Sequence, residues 1–256
     1  MQPAAIDGKP ARLNVFVQRL EGSALVGEPR RLTAETARDI AIYHWKGSDT
    51  LIYEKDFGGD ENFHIVAVDR DSGTVRDLTP FDGVRAQIVD ALPDDPDHLL
   101  ISHNKRNPEV FDVFRVNVRT GAATLVAENP GNIVGWLADH QGRLRLGWVS
   151  DGLTTTLVYR DGDSGPFKPI ITTDYKTSVD PQFFTADGTK MIASSNRGRD
   201  KAAIVLIDPK QPEREELVFS HPAVDVEGPV WSRARKRLTA IEYTTDRPQR
   251  RPMDDE

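Results

Sequence analysis

Short runs of apolar and β-branched residues alternate with turn residues along the whole chain. In the first clear example, the runs at residues 40–43, 50–53, 63–68 and 74–78 are separated by turns such as Gly-Gly-Asp and Asp-Ser-Gly. Runs of this length bounded by Gly, Asp and Ser are typical of β-strands joined by tight turns. No stretch of helical periodicity exceeds about ten residues. The pattern predicts an all-β chain.

The pattern repeats with a period of about 47 residues. An apolar residue followed by Thr or Val ends each unit, and its copies are 46, 47, 46 and 46 residues apart: Leu32, Leu78, Leu125, Ile171 and Leu217. A bulky apolar residue opens each unit at a similar spacing: Trp45, Leu92, Trp136, Phe183 and Trp231. Four short antiparallel strands per repeat of this length predict the blades of a β-propeller, whose sheets bury their faces against neighbouring blades.

Both ends of the repeat array fall inside a unit. Residues 13–33 carry only the last two strands of a unit, residues 226–243 carry only the first two, and four whole units lie between them. We therefore expect a propeller of about five blade equivalents over residues 12–245, with tails at residues 1–11 and 246–256. The pattern leaves open whether the end strands complete a closed ring or leave an open arc with exposed sheet faces.

Composition narrows the classes of function. The chain has 33 Lys and Arg against 40 Asp and Glu, and this net charge of −7 disfavours a nucleic-acid partner. The absence of cysteine excludes thiol catalysis and Cys-ligated zinc. No apolar run reaches the roughly 20 residues of a membrane helix, and residues 1–10 lack the apolar segment of a signal peptide. We expect a soluble chain without a membrane partner.

Two strings in the chain are specific enough to indicate a family. They are Gly58-Gly59-Asp60-Glu61-Asn62-Phe63-His64 and Asn104-Lys105-Arg106-Asn107-Pro108-Glu109-Val110-Phe111-Asp112-Val113. They resemble the N-terminal propeller of bacterial serine peptidases of the prolyl oligopeptidase family, and Ser194-Ser195-Asn196-Arg197-Gly198 resembles a TolB-like blade motif. The resemblance covers residues 12–250. It implies a cytoplasmic or periplasmic parent enzyme whose propeller controls access to a C-terminal α/β-hydrolase domain with a Ser-Asp-His triad.

The chain departs from that family in one decisive respect. A nucleophile elbow requires G-x-S-x-G between a strand and a helix, whereas the nearest string, Gly162-Asp163-Ser164-Gly165, lacks this spacing and falls in a predicted hairpin. The resemblance also implies about seven blades, more than the repeats present here. We therefore expect an internal segment or a truncated relative of such a peptidase. It has no predicted catalytic residue, metal or cofactor of its own.

The acidic loop of the first unit is one candidate for contact with a partner. Asp60, Glu61 and Asn62 lie between the second and third predicted strands, where a carboxylate pair suits a substrate amine or a basic residue of a partner. The alternative is a Gly-Gly turn whose Asp and Asn satisfy neighbouring backbone groups.

The equivalent loops of two later units are basic. Arg106 lies in the second unit, and Arg197 and Arg199 lie in the fourth. Acidic and basic loops on one rim predict a docking face with a charge pattern for a second domain. The alternative is a set of solvated hairpin tips.

The remaining candidate chemistry gives no metal motif. The strings at residues 69–73 and 161–165 begin like calcium-binding loops, but Pro80 and Thr172 stand where the loop requires a glutamate. The six histidines have no metal-binding spacing. Turn formation explains the two strings at residues 69–73 and 161–165.

Three functions remain at the level of sequence. The leading hypothesis is a non-catalytic propeller that gates and orients short peptides for a hydrolase domain, and it predicts an open reading frame continuing into G-x-S-x-G. A free-standing TolB-like propeller that binds a protein partner predicts a stop codon after Glu256. A five-bladed hydrolase that uses carboxylates predicts acidic side chains converging in a central pocket.

Overall fold

The structure is a computed structural model that describes residues 12–40 and 42–253. In this part of the chain all regular structure is β-strand, and no helix is long and apolar enough to span a membrane. The described residues divide into two compact units, with the boundary between Asn129 and Pro130. The predicted N-terminal tail, the Ala41 position of the first predicted strand and the last three residues lie outside the described residues.

The first unit contains three antiparallel sheets. β1 and β2 form a two-stranded sheet, while β3 to β6 and β7 to β10 form four-stranded sheets in which each strand pairs with its neighbour in sequence. The strands are β1 (Phe16–Glu21), β2 (Ala24–Arg31), β3 (Tyr43–Lys46), β4 (Thr50–Lys55), β5 (His64–Asp69), β6 (Val75–Asp77), β7 (Ala86–Asp90), β8 (His98–Asn107), β9 (Val110–Asn117) and β10 (Ala123–Ala127).

The second unit follows the same plan. β11 to β14 and β15 to β18 form four-stranded sheets, and β19 to β21 form a three-stranded sheet. The strands are β11 (Ile133–Ala138), β12 (Leu144–Ser150), β13 (Thr154–Tyr159), β14 (Lys168–Asp174), β15 (Val179–Phe184), β16 (Met191–Ser195), β17 (Ala203–Ile207), β18 (Glu216–Phe219), β19 (Val226–Ser232), β20 (Arg237–Thr244) and β21 (Pro248–Pro252).

Sheets within each unit bury their faces against one another, which explains the continuous apolar runs within middle strands such as β4 and β16. In β4, Leu51 and Tyr53 pack toward the β1–β2 sheet, whereas Ile52 packs toward the second blade. In β16, Ala193 packs toward the β11–β14 blade, whereas Ile192 packs toward the β19–β21 sheet. Alternate side chains point to opposite faces of a strand, so a strand between two blades is buried on both faces.

The predicted fold class is confirmed, since successive four-stranded antiparallel sheets are propeller blades. The C-terminal sheet has a third strand, β21, that the sequence pattern did not indicate. Its residues are Pro, Gln and Arg, a composition suited to an edge strand, and β20 supplies its hydrogen-bonding partners through pairs such as Glu242 with Arg250. No sheet of the described chain combines β1–β2 with β19–β21.

Each blade has two rims because its four strands run antiparallel. We define the upper rim as the connections from second to third strand and from fourth strand to the next blade. The lower rim holds the other two connections. In the first unit, the upper rim comprises residues 56–63, 78–85 and 108–109, and the lower rim residues 47–49, 70–74, 91–97 and 118–122. In the second, the upper rim comprises residues 151–153, 175–178, 196–202 and 220–225, and the lower rim residues 139–143, 160–167, 185–190 and 208–215.

Candidate functional site

The acidic loop lies on the upper rim of the first complete blade and is partly satisfied by its own atoms. Gly58 and Gly59 adopt positive φ angles of 75° and 88°, which L-residues with side chains disfavour. Asp60 then accepts hydrogen bonds from the Asn62 backbone amide at 3.1 Å and from its side-chain amide at 3.3 Å. The bond from the Asn62 amide lowers the pKa of Asp60, so this exposed carboxylate is ionised at neutral pH.

Glu61 is the strained residue of the loop. Its φ is 60°, and its side chain is exposed. A left-handed conformation costs an L-residue about 1–2 kcal/mol. The loop therefore presents a carboxylate to solvent from a backbone position where glycine would be more stable.

Arg106 lies at the end of β8, next to the hairpin of the second blade. Its Nε and Nη2 each donate to the buried Asp112 carboxylate at 2.8 Å, and Nη2 also donates to the Asn129 carbonyl at 2.7 Å. Burial tends to raise the pKa of Asp112, but the bonds from Arg106 and from the Asn129 amide outweigh it, and the pKa is lowered. The hydrogen bonds to Asp112 in turn raise the pKa of Arg106.

Arg197 and Arg199 converge on one carboxylate of the fourth blade. Arg197 Nε lies 3.0 Å from Glu215 Oε1, and Arg199 donates to Oε2 at 2.5 Å. The Ser195 hydroxyl also donates to Oε1, at 2.7 Å. Two cations share one anion, so the cluster keeps an excess of positive charge.

The structure brings together some of the predicted residues and not others. Asp60 contacts Asn62, and Arg197 joins Arg199 through Glu215. Within the described chain, no hydrogen bond or ion pair links Asp60 to Arg106. Each predicted arginine is paired with a carboxylate of its own blade, so these side chains stabilise hairpins. Their contact with a substrate or a second domain stays a prediction.

Two further pairs flank the acidic loop. Arg38 Nε donates to Oδ1 of the buried Asp56 at 3.1 Å, and the other oxygen of this carboxylate is buried without a partner in the described chain. At the far end of the loop, His64 Nδ1 lies 2.7 Å from Asp77 Oδ2. Sequence reasoning missed both pairs because their members are 18 and 13 residues apart and form no motif.

These loops carry exposed charged side chains, which suit recognition by charge. A serine nucleophile requires a hydroxyl within reach of a histidine. Across residues 12–40 and 42–253, no histidine ring is hydrogen-bonded to a Ser or Thr hydroxyl. No group of three His, Asp or Glu residues in the same ranges is arranged to hold a metal ion. The first unit offers an acidic loop on its own upper rim, and the second unit, taken by itself, offers paired guanidinium groups.

Comparison with known proteins identifies a homologue. No protein-family model matches the chain. Dipeptidyl aminopeptidase BIII of Pseudoxanthomonas mexicana is 33% identical over 247 residues, which cover 93% of this chain and 34% of that enzyme. The chain therefore spans about a third of the length of its curated relative. The resemblance to a peptidase propeller predicted from the two sequence strings is confirmed.

Solved structures with low sequence identity share the fold. A prolyl endopeptidase matches with a TM-score of 0.63 and 12% identity, over 89% of this chain and 36% of that chain. TolB from Acinetobacter baumannii matches with a TM-score of 0.51 and 15% identity, over 84% of this chain and 51% of that chain. These likenesses support the propeller architecture and its TolB-like blades.

Proposed function

We propose that this chain is the non-catalytic propeller segment of a serine peptidase, where it gates and orients short peptides for an α/β-hydrolase domain. The observation that carries the proposal is the 33% identity to an aminopeptidase over 93% of this chain. The matched region is 34% of that enzyme, so most of the relative lies outside it and leaves room for a catalytic domain.

The upper rim supplies groups suited to such a role. Asp60 and Glu61 are exposed carboxylates that attract the protonated amino end of a peptide. Arg106, Arg197 and Arg199 are partly exposed and suit peptide carbonyl or carboxylate groups, or acidic residues of the hydrolase domain. Within the first unit, the carboxylates of Asp60 and Glu61 and the guanidinium of Arg106 carry charge of both signs, which favours one orientation of a short peptide over the reverse.

Peptidase assays test the proposal directly. The 256-residue chain, given a panel of short chromogenic peptides, is expected to show no turnover that a serine-directed inhibitor abolishes. The longer gene product that contains it is expected to show such turnover. Inhibitor-sensitive turnover by the 256-residue chain alone would overturn the proposal, because a nucleophile would then lie within these residues.

A partner-binding propeller is the second candidate function, and the TM-score of 0.51 against TolB favours it. It requires that the gene product end at the propeller. A stop codon directly after Glu256, together with stable capture of one protein by the upper rim, would support this function over the first.

A further inference from the structure

A pocket of about 230 Å³ lies on the lower rim of the first unit, at the seam between its two complete blades. Ala67 and Val118 form the floor, and both belong to the apolar core that these blades share. Charged and hydroxyl-bearing side chains surround this floor. Sites for drug-sized molecules have volumes of about 300–1,000 Å³, so this pocket suits a smaller ligand.

The β4–β6 strands direct two opposite charges to one side of the pocket floor. Ala67 pairs with Arg76 across β5 and β6, and Asp69 follows Ala67 by two positions on β5. Partners across a ladder share a face of the sheet, as do alternate residues of a strand. Asp69 and Arg76 therefore lie on the face of Ala67, which packs against the second blade.

Arg119, which follows β9, forms the opposite wall and is held in one orientation. Its Nε donates to Asp97 Oδ1 at 2.7 Å, and its Nη2 donates to the two oxygens of Asp49 at 3.2 and 3.0 Å. A guanidinium has five N–H donors, and Nη1 of this one has no hydrogen-bond partner within the described residues. Nη1 therefore remains available to a ligand.

Arg76 carries a positive charge that the described residues leave without an ion pair or a hydrogen bond. Its side chain is exposed and reaches the second blade, since its Cδ lies 3.6 Å from the point that a Cβ on Gly121 would occupy. The pocket is thus lined by this guanidinium and by that of Arg119. Both groups suit a carboxylate.

Asp69 supplies the negative charge of the pocket. Its Oδ1 accepts from the Ser72 and Asp71 amides at 2.7 and 3.1 Å and from the Ser72 hydroxyl at 2.8 Å. The bond from the Ser72 amide, above all, lowers the pKa of Asp69, so the carboxylate is ionised at neutral pH. Its Oδ2 has no hydrogen-bond partner in the described part of the chain and can accept from an ammonium group.

We propose that this pocket binds a small zwitterion, a free α-amino acid, whose carboxylate lies between Arg76 and Arg119 and whose ammonium group lies on Asp69 Oδ2. A simple anion would face the Asp69 carboxylate, and a simple cation would face two guanidinium groups. A ligand with both charges matches all three side chains. The pocket lies on the other rim of the first unit from the acidic loop, so this inference does not depend on the proposed function.

An NMR titration of the 256-residue chain with L-alanine at pH 7 tests the site. Saturable shifts are expected for the amides of residues 69–76 and 118–121. Acetate and methylammonium each carry one of the two charges of alanine. Each should bind at least about tenfold more weakly, because each lacks one set of charge-assisted hydrogen bonds. Equal binding of alanine and acetate, or no saturable shift with alanine, would overturn the inference.

Three variants assign the binding to the pocket. Arg76→Gln and Asp69→Asn each remove one charge and should weaken alanine binding by about tenfold or more. Asparagine keeps a side-chain oxygen for the turn amides, and an unchanged Tm confirms that the fold is intact. Arg70→Gln is the matched control, because Arg70 lies on the same rim but is paired with Asp71 outside the pocket. Parental alanine affinity in Arg76→Gln, or an equal loss in Arg70→Gln, would refute the site.

Discussion

Arg106 donates two parallel hydrogen bonds to Asp112, both 2.8 Å long, from Nε to Oδ2 and from Nη2 to Oδ1. The Asn129 amide donates to the same carboxylate at 2.8 Å. One acidic side chain therefore ties the hairpin of the second blade to the residues that follow its fourth strand. An arginine that the sequence indicated as a docking residue also stabilises the fold, and experiment separates the two roles.

Removal of the Asp112 carboxylate should destabilise the chain. Asp112→Ala is expected to lower the free energy of unfolding by about 2–4 kcal/mol, because Arg106 and the Asn129 amide lose their acceptor. Arg106→Lys should lower it as well, since an ammonium group cannot make the paired bonds of a guanidinium. Urea unfolding measures both. Arg214→Ala, at an exposed residue, is the control and should stay within about 0.5 kcal/mol of the parent chain. An Asp112 variant as stable as that control would contradict this account.

The stability of the chain should fall in acid as the Asp112 carboxylate becomes protonated. Because Arg106 and the Asn129 amide hold the pKa of Asp112 below its unfolded value, its contribution to stability is present above about pH 4 and is lost as pH falls through the lowered pKa. Asp112→Asn should therefore be less stable than the parent at pH 7 and lose less stability on further acidification. Thermal unfolding at steps from pH 7 to pH 2 measures this. Parallel profiles for the two proteins would show that Asp112 does not contribute.

The Glu215 cluster should show strong coupling. The Glu215 side chain is 7% exposed and accepts from Arg197, Arg199 and Ser195. A double-mutant cycle on Arg199→Ala and Glu215→Ala is expected to give a coupling energy of about 1–3 kcal/mol. High salt should reduce it only partly, because the carboxylate is shielded from solvent. Additive effects of the two substitutions in urea unfolding would exclude the shared contact.

The strained backbone of Glu61 in the acidic loop should lower the free energy of unfolding of the chain. Glu61→Gly is expected to raise the free energy of unfolding by about 1 kcal/mol, because glycine adopts a φ of 60° without strain. Glu61→Ala keeps the strained backbone and serves as the control for the lost side chain. The proposed function adds that both variants should lower kcat/KM of the longer gene product for peptides with a free amino end. A glycine variant no more stable than the alanine variant would contradict the strain argument.

Close packing around Gly147 should exclude a larger residue. A Cβ there would approach Ile133 Cγ2 at 3.0 Å and Trp136 Cε3 at 3.3 Å. Gly147→Ala is therefore expected to destabilise the chain by about 1–3 kcal/mol. Gly228→Ala is the matched control, because its Cβ would meet only the mobile end of Gln182, at 3.4 Å. Calorimetry compares the two, and equal Tm values would refute the packing argument.

Local physics explains why the blades were predictable. Continuous apolar runs such as those in β4 and β16, turn residues at fixed places and a constant period are properties of short segments, and a single sequence displays them. The acidic loop was recognised for the same reason, since its glycines and its Asp–Asn bond all lie within a few residues.

The partners of the charged side chains were decided by the tertiary structure. Arg199 binds a carboxylate 16 residues away, and Arg106 binds the carbonyl of a residue 23 positions away. Because such pairs depend on which strand ends meet in space, no spacing in the sequence predicts them. The strand β21 escaped notice for a related reason: its Pro and Arg residues have little strand preference, and only the hydrogen bonds that β20 offers make that segment extended. The sequence alone thus determined the blade repeat and its resemblance to peptidase propellers. Folding decided which charges are neutralised, because this depends on contacts between distant segments.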